Sequence, residues 1–252
     1  MGRALIDAVT TAPDFVLCAA LEVSGSPLLG CPAAPDVGHA SVVGITDDLG
    51  ALAGADVLID FTRPAGTIAH VHACQQAGIA IVIGTTGLSD AEKAQIENAA
   101  RRIPVVFAPN MSVGVNVTLR LLEIAARTLA DGYDIEILEM HHRHKVDAPS
   151  GTALLLAKAA AAGRDVDLAQ NSVRTRDGHT GVRPGGSIGF ATLRGGSVVG
   201  EHSVFLAGTG ERIVLSHHAE DRVIFARGAV KAALWGRGKK PGLYSMRDVL
   251  GF

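Results

Sequence analysis

Four short apolar runs, separated by helical patterns, most constrain what this chain can fold into. The runs are FVLCAALE (15–22), DVLIDF (56–61), IAIVIG (79–84) and PVVFAP (104–109). The helical patterns lie at about 4–12, 65–78 and 89–102. Because the runs do not alternate apolar with polar residues, they are typical of strands that are buried on both faces. The first half of the chain is therefore predicted to form a parallel sheet covered by helices on both sides.

The second half carries a different pattern. After a predicted helix at about 113–130, segments that partly alternate are separated by Gly-rich turns. These segments are 134–140, 186–193, 198–206 and 211–218. They predict a mixed, largely antiparallel sheet with one face available. A helix at 151–162 is expected to cross this sheet, and a last helix is expected at about 222–238.

Charge and hydropathy argue against several classes of protein. The formal net charge is −2 and the basic residues are scattered, which argues against binding to nucleic acid or to an anionic membrane surface. Charge or Gly interrupts the apolar runs well before the roughly 18 residues that a membrane-spanning helix requires. The three cysteines (Cys18, Cys31 and Cys74) have spacings typical of neither a disulfide framework nor a metal site. We therefore predict a cytoplasmic protein.

Polar residues follow every predicted strand of the first half. They are Glu22 and the segments DFTRP (60–64), GTTG (84–87) and APNMS (108–112). In an open parallel sheet, ligands bind beyond the carboxyl ends of the strands, and an acid after the second strand usually binds the hydroxyls of an adenosine ribose. Any one of these motifs alone could merely end a strand. Four in series favour a nucleotide-binding crevice.

The start of the sequence lacks one part of a dinucleotide-binding fold. Such a fold opens with a strand and a Gly-rich loop, whereas Met1-Gly2-Arg3 directly precedes a predicted helix. We therefore expect the sequence to begin inside that loop, and the natural protein to start about 15–20 residues earlier, the length of one strand plus its loop. Without that strand and loop, either nucleotide is expected to bind weakly.

The stretch EMHHRHKVDAPSGTA (139–153) crowds three histidines and a lysine against the start of a predicted helix. Three interpretations compete. A metal site is disfavoured, because His141 and His142 would point to opposite faces of a strand and Lys145 would repel a cation. A structural role, exposed or hydrogen-bonded, is the interpretation kept for His144, His217 and His218.

The third interpretation is an acid/base and anion site. Ser150 is a suitable N-cap, so the amides of Gly151 and Thr152 would point out of a helix N-terminus, which binds carboxylate or phosphate. Lys145 adds a positive charge nearby. A histidine or lysine at that place can give a proton to a substrate held by its carboxylates. The pattern therefore predicts a site for a small anion whose reduction requires protonation.

The same stretch closely resembles the signature of the 4-hydroxy-tetrahydrodipicolinate reductase (dihydrodipicolinate reductase) family of the lysine and diaminopimelate pathway. Further segments resemble that family in the same order: IDFTRP (59–64), VIGTTG (82–87), FAPNMSVGVN (107–116), GSIGFATLRGG (186–196), VGEH (199–202) and FARGAVKAALW (225–235). The resemblance extends from Met1 to Phe252. It implies hydride transfer from NAD(P)H to a cyclic, unsaturated dicarboxylate, followed by proton donation, in a homotetramer joined through its C-terminal sheets.

The resemblance also implies roles for individual residues. His141 matches the family's acid/base position and Lys145 its proton donor, while the substrate-carboxylate positions are matched by His142, Gly151 and Thr152. The positions that match nucleotide-binding residues are Met1, Glu22, Gly84, Thr85, Thr86, Ala108, Pro109, Asn110 and Met111. No metal ligand is predicted.

The patterns and the resemblance together predict an α/β protein. Residues 1–112 would form a dinucleotide-binding domain with a Rossmann-like parallel sheet whose first strand is missing. Residues 113–222 would form an α+β domain, built on the mixed, largely antiparallel sheet, for substrate binding and oligomerisation. Residues 223–252 would return to the dinucleotide-binding domain.

Val23 bears on the choice of cofactor. Many relatives carry an arginine here for the 2′-phosphate of NADPH, whereas Val23 has no charge and Ser24 offers only a neutral donor. A 2′-phosphate would also face the negative charge of Glu22. We therefore predict that NADH serves at least as well as NADPH.

Three other functions remain open from the sequence. One is a reductase of the same architecture that acts on another small carboxylate. Another is a protein that binds a nucleotide without turnover, and the third is a metal-dependent hydrolase.

Overall fold

The computed structural model describes residues 1–34 and 43–252. In chain order the elements are α1 (Gly2–Thr11), β1 (Ala20–Leu21), β2 (Ile45–Thr46), a 3-10 helix (Leu49–Leu52), β3 (Val57–Asp60), α2 (Pro64–Ala77), β4 (Ala80–Ile83), α3 (Asp90–Ala99), β5 (Pro104–Phe107), α4 (Val113–Thr128), β6 (Asp134–His141), α5 (Gly151–Arg164), α6 (Leu168–Asn171), β7 (Ser172–Val173), β8 (Ile188–Arg194), β9 (Gly200–Ala207), β10 (Arg212–Ala219), α7 (Val223–Gly236), β11 (Gly242–Tyr244) and α8 (Met246–Leu250). They divide into unit 1 (Met1–Val113 and Arg222–Phe252) and unit 2 (Gly114–Asp221). None of the helices in the described ranges has the length and apolar character needed to cross a membrane.

A four-stranded parallel sheet forms the centre of unit 1, in the order β11-β5-β4-β3. Successive side chains of its strands face opposite sides of the sheet. Ile81 and Ile83 of β4 pack with α2 and α3 on one side, whereas Val82 packs with α1, α7 and α8 on the other. The prediction of a parallel sheet covered on both faces is thereby confirmed for β3, β4 and β5. The fourth strand, β11, is too short to show a pattern in the sequence.

The prediction of a strand over residues 15–22 is wrong for most of that run. Only Ala20–Leu21 forms a strand, β1, which pairs in parallel with β2 outside the main sheet. Along the described parts of the chain, no strand pairs with the outer edge of β3. An apolar cleft lies beside that edge, lined by α1, the 15–22 run and β3. A strand requires hydrogen bonds to a neighbouring backbone. Only Ala20 and Leu21 of this run pair with another strand, so the rest of the run is not a strand.

Unit 2 contains a five-stranded mixed sheet in the order β10-β9-β6-β8-β7. The central strand, β6, pairs antiparallel with β9 and parallel with β8. Alternate residues of β6 are buried, and Ile135 and Ile137 share one apolar core with Leu156 and Ala160 of α5. The mixed sheet and the helix that packs on it are confirmed. The two-residue strand β7 was not predicted.

Gly228 in α7 lies against the segment that follows β5. A methyl group at this position would overlap the backbone carbonyl oxygen of Met111. Alanine normally favours a helix over glycine by about 1 kcal/mol. Here the overlap should reverse that preference, since overpacking a core costs about 1–3 kcal/mol. We predict that Gly228→Ala lowers the thermal melting temperature, measured by circular dichroism.

The matched control is Gly236→Ala in the same helix. Its methyl group would lie 3.5 Å from Val106 Cγ2, which is an ordinary contact. The melting temperature of this variant should equal or exceed that of the unmodified chain. Equal melting temperatures for the two variants would contradict the packing argument.

Candidate active site

Glu139 and His141 lie on the buried face of β6. Side chains alternate along the strand, so these two share a face with Ile135 and Ile137. The exposed fraction of Glu139 is 1 %, and that of His141 is 8 %. His141 Nδ1 lies 2.6 Å from Glu139 Oε2. A carboxylate and an imidazole therefore meet inside an otherwise apolar surface.

Donors from β8 and from the start of α5 complete the surroundings of the Glu139 carboxylate. Arg194 donates through Nη1 to Oε2 at 2.8 Å and through Nη2 to Oε1 at 3.0 Å. The backbone N–H of Ser150 donates to Oε1 at 3.1 Å, and Thr192 Oγ1 donates to the same oxygen at 3.3 Å. Burial by itself raises the pKa of Glu139, but the hydrogen bonds from Arg194 and His141 outweigh it and hold that pKa below its ordinary value. Glu139 is therefore ionised at neutral pH.

The ionised carboxylate fixes the tautomer of His141. Because a carboxylate only accepts hydrogen bonds, His141 donates to it through Nδ1, and the neutral ring has its lone pair on Nε2. Burial lowers the pKa of His141, Glu139 opposes that shift, and Lys145 and Arg194 reinforce it. Nε2 faces Gly200, where a side-chain carbon would lie 3.0 Å away. His141 can thus take up a proton at Nε2 and give it back.

Ser150 caps α5, as predicted. Its Oγ accepts from the backbone N–H of Ala153 at 3.1 Å and lies 2.9 Å from Nε2 of His202. The His202 ring stands edge-on to that of His141, with centroids 5.1 Å apart. Gly151, the first residue of α5, has open space where a side chain would begin. The helix start is therefore tied through Ser150 to both Glu139 and His202.

The remaining cluster residues lie in the loop between β6 and α5. Lys145 Nζ lies 2.8 Å from Asp147 Oδ1, and that hydrogen bond lowers the pKa of Asp147. The ring of His142 lies 6.3 Å from that of the exposed His144. Only His141 of the three histidines is buried, because it is the last residue of β6 and the other two lie in the loop. In the described ranges, no three His, Cys, Asp or Glu side chains are grouped so as to hold a metal ion.

The predicted nucleotide-binding positions lie in unit 1. The segments 84–86 and 108–111 follow the adjacent parallel strands β4 and β5, at their carboxyl ends. Glu22 is exposed and follows β1, outside that sheet, and its Oε1 accepts from the backbone N–H of Val23 at 2.8 Å. Met1 is the N-cap residue of α1.

A buried polar network supports the segment 84–86. Asp60, at the end of β3, is 2 % exposed and has Oδ1 3.2 Å from Nδ1 of His70. The Thr85 hydroxyl accepts from Thr67 Oγ1 at 2.8 Å and donates to Asp60 Oδ2 at 3.5 Å. Burial by itself raises the pKa of Asp60, but hydrogen bonds led by that of His70 lower it overall. The Thr85 hydroxyl is therefore engaged within this buried network.

Three residues of the network in unit 2 had no predicted role: Glu139, Arg194 and His202. A role for Glu139 could have been predicted from the sequence, because a carboxylate at a buried strand position requires a specific partner. Arg194 lies 55 residues further along the chain, and only the pairing of β6 with β8 brings the two together.

Comparison with known proteins identifies the family. Models of the N-terminal and C-terminal parts of dihydrodipicolinate reductase match residues 1–111 and 114–250. The 4-hydroxy-tetrahydrodipicolinate reductase 1 of Mesorhizobium japonicum is 62 % identical over 258 residues, which cover 100 % of this chain and 93 % of that protein. The 4-hydroxy-tetrahydrodipicolinate reductase of Nitrosospira multiformis is 56 % identical over 252 residues, which cover 100 % and 94 %. This chain belongs to the dihydrodipicolinate reductase family.

The fold of a solved member agrees with this assignment. A dipicolinate-bound dihydrodipicolinate reductase from Paenisporosarcina sp. TG-14 superposes with a TM-score of 0.77. It is 24 % identical, and the match covers 98 % of this chain and 94 % of that one. The predicted family and the α/β fold are thereby confirmed, and the roles of individual residues stay predictions.

The buried His202 makes stability depend on pH. Burial lowers its pKa from 6.5 to about 4, and the neighbouring His141 acts in the same direction. Between these two values the unfolded chain binds a proton that the folded chain does not, so the free energy of unfolding falls as pH decreases. The loss from this residue should be about 2 kcal/mol between pH 7.5 and pH 5. We predict that His202→Gln reduces this pH dependence in urea unfolding.

The control is His179→Gln, which replaces an exposed histidine of the same unit. It should leave the pH dependence of the unfolding free energy as in the unmodified chain. An unchanged pH dependence in His202→Gln would mean that this histidine is not held neutral in the fold.

Proposed function

We propose that this chain catalyses the NAD(P)H-dependent reduction of 4-hydroxy-tetrahydrodipicolinate, or of its dehydrated form, to tetrahydrodipicolinate in lysine and diaminopimelate biosynthesis. One observation carries the proposal: Glu139 joins His141 to the backbone of Ser150 at the start of α5. A ring that can transfer a proton and a helix N-terminus that can bind a carboxylate thus belong to one network. Relatives more than half identical over the whole chain carry the same reductase name.

The substrate side of the proposal rests on unit 2. The N-terminus of α5, a helix of 14 residues, favours negative charge, and the open space at Gly151 lets a carboxylate approach the first turn. Thr152 belongs to the same turn, and His142 follows the strand that carries His141. We assign substrate binding to these three residues. Lys145 supplies a proton from a positively charged ammonium group, and His141 supplies the acid/base group.

The cofactor side rests on unit 1, whose residues fit a nicotinamide dinucleotide. The segments 84–86 and 108–111 offer backbone groups at adjacent strand ends, where such ligands bind. The Phe61 ring occupies the space where a side chain at position 84 would begin, so only glycine fits at this strand end. The exposed carboxylate of Glu22 can accept from ribose hydroxyls. When bound, the nicotinamide supplies the hydride.

Nicotinamide absorbance tests the proposal directly. The purified chain is mixed with NADH and enzymatically generated 4-hydroxy-tetrahydrodipicolinate, and substrate-dependent oxidation is expected. Binding of NADH without oxidation would favour a nucleotide-binding protein without turnover. Oxidation only with a different small carboxylate would favour another reductase of the same fold.

Proton transfer gives the first kinetic prediction. Replacing His141 or Lys145 by Gln should reduce kcat by about 10²-fold or more, because a positioned acid or base contributes about that factor. His144→Gln is the matched control, since His144 is an exposed member of the same cluster and has no assigned role. Near-normal turnover in both the His141 and Lys145 variants would contradict the assignment.

Cofactor preference gives the second kinetic prediction. NADH should serve at least as well as NADPH, because Val23 is 71 % exposed beside Glu22 and has no charge for a 2′-phosphate. Val23→Arg should raise kcat/KM for NADPH relative to NADH by about tenfold, since a charge-assisted hydrogen bond stabilises by about 1.5 kcal/mol or more. Val182→Arg adds the same charge at an exposed position of unit 2 and controls for net charge. A tenfold NADPH preference of the unmodified chain would overturn this prediction.

A further inference from the structure

We propose that Glu139 is a positioning residue for proton transfer by His141, and that Arg194 holds its carboxylate in place. The inference rests on the proposed reductase function and names residues that act through His141 rather than on the substrate. Its basis is a buried carboxylate on a strand face that otherwise carries two isoleucines and His141.

The carboxylate orients the imidazole ring. Glu139 Oε2 lies 2.6 Å from Nδ1 of His141, so the ring can rotate away only by leaving an ionised oxygen without one of its donors. This bond keeps the proton of the neutral ring on Nδ1. It leaves Nε2, on the side of Gly200, as the atom that exchanges a proton. Loss of the bond would allow the other tautomer, in which Nε2 cannot accept.

Arg194 fixes the carboxylate and connects it to the loop. In the register of β6 with β8, Arg194 lies opposite His141, and its two Nη atoms bind the two oxygens of Glu139. Nη2 also donates to the backbone carbonyl of Asp147 at 2.7 Å. The same guanidinium therefore holds the carboxylate and the loop segment whose Asp147 side chain is paired with Lys145. A planar guanidinium can donate two parallel hydrogen bonds to a carboxylate, which a lysine ammonium cannot.

Among the charged groups around His141, Glu139 is the one that stabilises the protonated form of the ring. Lys145 of the loop and Arg194 of β8 act against a positive charge on the ring. The buried His202 of β9, which the fold holds neutral, lies edge-on to the ring and supplies no negative charge. Asp147 is engaged with Lys145. Glu139 is the acid in direct contact with the ring. Removing its charge should therefore make the protonated form of His141 less accessible.

The test compares Glu139→Gln, Glu139→Asp and Arg194→Lys with Thr192→Val as the control. Thr192 donates the longest of the bonds to Glu139, at 3.3 Å, so its loss leaves the carboxylate charged and held by Arg194. For Glu139→Gln we expect kcat to fall by about 10²-fold. The limb of the kcat/KM pH profile that reports His141 should move to lower pH by about one unit or more, because the carboxylate charge is gone. Glu139→Asp keeps a carboxylate, and Arg194→Lys keeps a positive charge beside the unchanged Glu139. In both variants kcat should therefore fall with a smaller shift of that limb.

The outcomes separate this inference from the proposed function. If the unmodified chain does not oxidise NADH with the substrate, the proposed function fails. If it does, but Glu139→Gln keeps the unmodified kcat and pH profile, the positioning role fails. A lower kcat with an unchanged pH profile means that Glu139 serves stability alone, and it also overturns the inference. Should Glu139→Gln not fold, unchanged kcat in both Glu139→Asp and Arg194→Lys would overturn it.

Discussion

The burial of one carboxylate organises unit 2. The alternation of β6 forces Glu139 onto the face that packs under α5, where an unpaired charge would cost several kcal/mol. The fold meets that requirement with Arg194 from β8, the backbone N–H of Ser150 and Nδ1 of His141. One side chain therefore links the central strand, its neighbour, the start of α5 and the imidazole. The proposed chemistry depends on this link, because it sets the position of His141 relative to the helix start.

Unit 1 uses a second buried carboxylate in a comparable way. Asp60 ends β3 and binds His70, and the inward hydroxyl of Thr85 completes the network. The result is a fixed backbone after β4, at the sheet edge where parallel sheets bind ligands. In both units, then, a buried acid holds a loop that follows a strand. The apolar residues form the cores, whereas these two acids hold the loops to which ligand binding is proposed.

Local patterns predicted the parts of the fold that local interactions determine. The Ser150 cap at the start of α5 was predicted from neighbouring residues in the sequence. The prediction of a strand over 15–22 was wrong because strand pairing depends on a backbone that is distant in the sequence. The hydrogen bond from Arg194 to Glu139 was not predicted for the same reason, since it spans 55 residues. Only the family resemblance indicated that Val23 bears on the choice between NADH and NADPH. The homotetramer stays a prediction.

Nitrogen NMR of the His141 ring tests the central claim most directly. In the ¹⁵N-labelled chain near neutral pH, long-range proton–nitrogen spectra distinguish a protonated ring nitrogen from one with a lone pair. The account predicts that Nδ1 of His141 is protonated and that Nε2 is not, because Nδ1 donates to the ionised Glu139. A ring protonated on Nε2 alone, or one that averages between the two tautomers, would contradict it.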